Sequence, residues 1–94
     1  MNETEHLLSC LAEEAGEIVQ AVGKAQRFGL NDTCPDKEDA QTNACNIAAE
    51  IAHLKAIANM LDLRAYKRED ILIDEKIARV YKWMDYARAR GTLR

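Results

Sequence analysis

Apolar residues Leu7, Leu11, Ala15, Ile18, Val22 and Ala25 recur at steps of four, four, three, four and three, the repeat of one face of an α-helix. Asn2 with Glu5 three residues on has the form of a capping box at its start, and Gly29 behind Phe28 suits a left-handed helix end. The following Leu30-Asn31-Asp32-Thr33-Cys34-Pro35-Asp36 reads as a short polar turn. A second pattern is weak through Glu38, Asp39, Ala40 and Gln41. It is strong from Ala44 onward, where Ile47, Ile51, Leu54, Ala58 and Leu61 form one stripe that ends near Asp62 or Leu63. Beyond a basic connector at Arg64–Arg68, a third pattern runs through Ile73, Ile77, Val80, Met84 and Ala87 to Gly91, with Asp70 or Asp74 as its cap. Three helical segments joined by short connections make antiparallel neighbours. The expectation is therefore an all-α fold, an antiparallel helical bundle built by residues 1–94 as a single domain.

Composition agrees and adds a consequence. With 4 Gly, 1 Pro and 5% aromatic residues, strand formers and turn breakers are both scarce. A domain of 94 residues buries only about 60–65% of the surface its unfolded chain exposes, so three amphipathic helices cannot enclose their stripes alone. A second copy is expected to complete the bundle, as a dimer or a tetramer. No apolar stretch approaches the ~18 residues of a membrane span, and the opening Asn2-Glu3-Thr4-Glu5 is not a secretory signal. Neither a membrane nor secretion is expected. Cys10, Cys34 and Cys45 are odd in number and lack CxxC spacing, which speaks against a disulfide framework or a zinc knuckle and fits the cytoplasm. The net charge of −3 conceals a division: residues 1–62 carry 4 basic and 11 acidic side chains, residues 63–94 carry 9 basic and 5 acidic. The uniformly basic surface of a polynucleotide-binding domain is missing, and no polynucleotide partner is expected.

The chemistry lies among the carboxylates. At about 100° per residue, Glu14 falls at the edge of the first apolar stripe and Glu17 a little farther round, while Glu13 points the opposite way. The surface beside the two acids is lined by Cys10, Ala21 and Lys24, which lets another group approach closely. On the second helix Glu50 falls within the stripe itself, with Asn46 and His53 on its flank. An unpaired buried carboxylate must neutralise or find a cation, and polar pairs facing a shared interface are most economically explained by a metal ion.

These residues carry a resemblance. The run Leu11-Ala12-Glu13-Glu14-Ala15-Gly16-Glu17, continued by Gln20-Ala21-Val22, Lys24 and Arg27-Phe28-Gly29, resembles the EExxE half of the all-α nucleoside triphosphate pyrophosphatases, the MazG-like group, in its short phage type. A second helix supplies ExxD in that family. The equivalent stretch here, Asn46 to Leu54, has Glu50 but places His53 where the family has aspartate. The resemblance extends to the third helix through Lys76, Val80, Tyr81 and the ending Tyr86-Ala87-Arg88-Ala89-Arg90-Gly91. It implies hydrolysis of a (deoxy)nucleoside triphosphate to monophosphate and pyrophosphate, with Mg²⁺, or alternatively Mn²⁺, held by carboxylates from two helices. By position the implied metal ligands are Glu14, Glu17 and Glu50 with His53 beside them, and Glu13 completes the motif behind them. Lys24, Arg27, Asn46 and Lys76 are the implied substrate contacts.

Three outcomes stay open at His53, which offers nitrogen for oxygen and removes a negative charge: three carboxylates suffice for magnesium, the site turns to a borderline metal such as Mn²⁺, or catalysis is lost and a nucleotide- or protein-binding regulator remains. Each residue also has a plainer role. Glu14 and Glu17 can be solvated acids, Glu17 pairing with Lys24, and Glu50 can form a salt bridge with a base from the C-terminal third. Asn46 can make a simple interhelical hydrogen bond, and the basic side chains can be solvated.

Overall fold

The computed structural model describes residues 1–33 and 40–94. The expected turn at Cys34-Pro35-Asp36 and the weak start of the second pattern at Glu38 and Asp39 lie outside the described residues. The described chain is helical, with α1 at Glu3–Phe28, α2 at Asn43–Met60, a short 3₁₀ turn at Leu63–Ala65 in the basic connector, and α3 at Glu69–Arg90. It divides into two compact units, Met1–Asp62 and Leu63–Arg94. No helix among the described residues is long and apolar enough to cross a membrane.

The start of α1 is the expected capping box: the Glu5 N–H donates to Asn2 Oδ1 at 2.8 Å and the Asn2 N–H donates to Glu5 Oε2 at 3.1 Å. Such a cap contributes about 1 kcal/mol by satisfying N–H groups that the helix leaves over. At its other end Gly29 takes φ 95° and ψ 156°, which is not the left-handed turn anticipated but a more extended backbone open to glycine alone. The chain thereby leaves α1 sharply, and the Gly29 N–H still closes on the Ala25 carbonyl at 2.7 Å.

The return to α2 is clamped at its base. Thr33 and Thr42 form an isolated antiparallel bridge, the Asn43 N–H donates to the Asp32 carbonyl at 2.9 Å, and the Ala44 N–H donates to the Leu30 carbonyl at 2.8 Å. Thr42 caps α2 through its hydroxyl, and the buried Asn43 side chain donates from Nδ2 to the Gly29 carbonyl at 2.8 Å. With Glu14 opposite His53 and Gln20, Ala21 and Lys24 in one groove with Asn43, Asn46 and Ala49, α1 and α2 run antiparallel as a hairpin.

Packing in the hairpin differs from the sequence-based stripe in one respect. Leu7 is buried and Leu11, Ile18 and Ala25 are half-buried, as expected, yet Ala15 and Val22 are exposed, while Cys10, Glu14, Glu17 and Ala21 are half-buried. The packed face of α1 is turned toward Glu14. Its side chains there, Cys10 and Ala21, are small, and close approach of two helices favours small residues over the larger Val19 and Val22. On α2 Ile47, Leu54, Ala58 and Leu61 are half-buried as expected, whereas Ala44 and Ile51 are open.

In the second unit, α3 ends at Gly91 in the left-handed conformation, φ 82° and ψ 9°. Its start is nearly two turns earlier than an Asp74 cap would place it, and neither Asp70 nor Asp74 is the cap. Arg68 holds the cap position without a side-chain bond, and Asp70 sits in the first turn, where the Arg68 guanidinium reaches it at 3.0 Å and 3.3 Å. That guanidinium, and next the Ile71 N–H, hold the Asp70 carboxyl below its ordinary value.

Candidate metal centre

Two helical spacings and one antiparallel crossing assemble the centre. Glu14 and Glu17 stand one turn apart on the packed face of α1, and Glu50 and His53 stand one turn apart on α2. One ligand atom each from Glu14, Glu50 and His53 lies within 4.8 Å of the others. His53 Nδ1 is 3.4 Å from Glu50 Oε2 and 3.8 Å from Glu14 Oε2. The two carboxylate side chains retain 21% and 24% exposure, and the imidazole 58%. The cluster is thus closed toward the hairpin and open along the imidazole.

Glu17 joins through Glu50. Its carboxyl is raised from 4.5 to about 7, chiefly by a side-chain hydrogen bond to Glu50 and then by the negative charges of Glu14 and Glu50. Glu50 is lowered, foremost by that same hydrogen bond. Below about pH 7 the shared proton is therefore held on Glu17, whose O–H donates to the Glu50 carboxylate. Two acids in one small space share a proton because both cannot ionise without large repulsion.

The arrangement leaves a deficit. Glu14 Oε2 and Glu50 Oε2 are shielded from water and accept no hydrogen bond, a costly state for carboxylate oxygens. A divalent cation fits such a donor set: two carboxylate oxygens, an imidazole nitrogen and a third carboxyl, that of Glu17, adjacent. Ligands on opposite sides of an ion with ~2.1 Å bonds stand ~4.2 Å apart, so side chains spanning 4.8 Å close on it by small rotations.

A groove of about 270 Å³ continues from this cluster along the hairpin, lined by Glu17, Gln20, Ala21, Lys24, Asn43, Asn46, Ala49 and Glu50. Lys24 and Asn46 are thus on the groove that Glu17 and Glu50 open into. Sequence reasoning passed over Gln20, Asn43 and Ala49, although Gln20 lies one turn from both Glu17 and Lys24. Arg27 is farther along α1, roughly 15 Å from Glu17 along the axis, and its guanidinium lies over the Phe28 ring at 5.4 Å. Glu13 is exposed and outside the cluster. Lys76 belongs to the other unit, where it lines an open groove of about 680 Å³ with Arg79, Trp83 and Leu93. Cys10 is half-buried, Cys45 exposed, and both are free thiols. Glu17 is bonded to Glu50, and within the hairpin unit Glu50 pairs with its own helix neighbour His53. No family model, curated protein or solved structure matches the chain.

Proposed function

We propose that the protein is a metal-dependent nucleoside triphosphate pyrophosphohydrolase, converting a (deoxy)nucleoside triphosphate and water to the monophosphate and pyrophosphate. The observation that carries the reading is the pair of shielded carboxylate oxygens of Glu14 and Glu50, which accept no hydrogen bond and face each other across the hairpin with only the His53 imidazole near them, beside a groove large enough for part of a nucleotide. Glu14, Glu17 and Glu50 would hold the ion, with His53 beside them. Bound there, Mg²⁺ or Mn²⁺ supplies charge neutralisation for a triphosphate and lowers the pKa of a water molecule. Lys24 presents an ammonium to phosphate oxygens along the groove, and Asn46 and Gln20 present amides that both donate and accept hydrogen bonds. Glu17 gives up its proton when a cation takes its place. Glu13, Arg27 and Lys76 enter the reading through the MazG-like resemblance.

The assembly belongs to the same proposal. Leu8, Ala12, Ala15, Val19 and Val22 form a second apolar stripe on α1, and Ala44, Ala48 and Ile51 continue it on α2, all on open surface. A hairpin whose one buried hydrophobic side chain among the described residues is Leu7 has a thin core. A second copy over that stripe, in a dimer or tetramer in the cytoplasm, completes it.

One observation favours a second reading. His53, when protonated, is an internal counter-ion shared by Glu14 and Glu50, so part of the cluster's negative charge can be balanced without metal, as suits a catalytically silent nucleotide- or protein-binding regulator. A screen of nucleoside triphosphates with Mg²⁺ and with Mn²⁺, read as pyrophosphate release, separates the two. Turnover with any substrate establishes the enzyme. Thermal stabilisation by a nonhydrolysable nucleotide without turnover establishes the regulator, and neither effect removes both.

A further inference from the structure

We propose that His53 is a metal ligand through Nδ1, and that it tunes the centre away from magnesium toward a divalent transition ion that accepts nitrogen, Mn²⁺ or Co²⁺. This rests on the metal-dependent reading above and concerns which ion the site selects. His53 Nδ1 approaches Oε2 of both acids, at 3.4 Å and 3.8 Å, and these are the two oxygens that lack hydrogen bonds. The imidazole thus points into the space the carboxylates share.

Magnesium prefers an all-oxygen octahedron and dehydrates reluctantly, so an imidazole in place of an oxygen costs it a favourable ligand and a negative charge. Mn²⁺ and Co²⁺ take imidazole readily, Co²⁺ more strongly than Mn²⁺. The open side of the ring leaves coordination positions for water or substrate oxygens, as a site that binds a reactant requires.

The test uses the intact chain freed of metal by a chelator. Zn²⁺ is left out, because the free thiols of Cys10 and Cys45 would compete for it. Calorimetric titrations with Mg²⁺, Mn²⁺ and Co²⁺ are compared for the natural chain, His53→Asp and His53→Asn. The natural chain is expected to bind Co²⁺ and Mn²⁺ at least about tenfold tighter than Mg²⁺, and His53→Asp, which restores an oxygen and a charge, to narrow that ratio about tenfold, mostly by gaining Mg²⁺ affinity. His53→Asn should lose Co²⁺ affinity without gaining Mg²⁺. Bound Co²⁺ should also shift one imidazole N–H proton far outside the normal NMR range, a signal absent from both variants. An unchanged metal ratio in His53→Asp, or no shifted imidazole proton in the natural chain, overturns the proposal. Absence of pyrophosphate release while this metal pattern persists would instead remove the enzymatic reading and leave the proposal standing.

Discussion

In the proposed metal centre, Glu17 would set the pH at which a cation is accepted. Its carboxyl, raised to about 7 by the hydrogen bond to Glu50 and the charges of Glu14 and Glu50, carries a proton that an entering ion must displace. A ligand with that pKa weakens apparent binding about elevenfold at pH 6, twofold at pH 7 and hardly at all at pH 8, so affinity should rise roughly tenfold from pH 6 to 8. In Glu17→Gln the amide donates to Glu50 in place of the shared proton. Overall affinity should fall with one carboxylate fewer, and the part of its pH dependence between 6 and 8 that Glu17 contributes should be lost.

The metal-free protein gives an independent readout. A carboxyl whose folded value lies above its unfolded 4.5 stabilises the fold fully below that value, and the contribution is lost as pH rises through about 7. The metal-free melting temperature should therefore fall between pH 5 and 8, more in the natural chain than in Glu17→Gln, and added divalent ion should restore it at pH 8. Calorimetry at pH 6, 7 and 8 in buffers of different ionisation enthalpy also counts the protons released on binding. Equal affinities at pH 6 and 8, or the full pH dependence retained in Glu17→Gln, would refute the shared proton.

Glu50→Gln should abolish divalent-ion binding by calorimetry, since Glu50 interacts with Glu17, Glu14 and His53 alike, whereas Glu13→Gln, on the outer face, should leave it unchanged. Asn43→Ala removes the 2.8 Å bond to the Gly29 carbonyl and should cost about 1–2 kcal/mol in denaturant unfolding. Leu7→Ala should cost about 2–3 kcal/mol, toward the low end for a buried leucine because the thin core relaxes around it. Val19→Glu places a charge in the open apolar stripe of α1 and should shift the light-scattering mass toward a monomer without loss of helicity; an unchanged mass would place any subunit contact elsewhere.

Helix spans and most helix ends were legible because they depend on neighbours three and four residues away: the Asn2–Glu5 box, the break at Gly29 and the left-handed Gly91 each follow from local geometry. Glu50 in the stripe of α2 was legible for the same reason. The start of α3 was not, because Arg68 draws the Asp70 carboxylate into an ion pair in the first turn and leaves the cap without a side-chain bond. Nor was the rotation of α1 toward Glu14, which depends on the small size of Cys10 and Ala21 on the face packed against α2. Periodicity names an apolar face, but which part of it closes is decided by how near a second helix can come. The shared proton of Glu17 and Glu50 and the approach of His53 Nδ1 to two shielded oxygens were likewise decided by the tertiary fold. Electrostatic coupling depends on separations of a few ångströms between residues more than thirty positions apart, and a sequence specifies which charges exist without setting those distances.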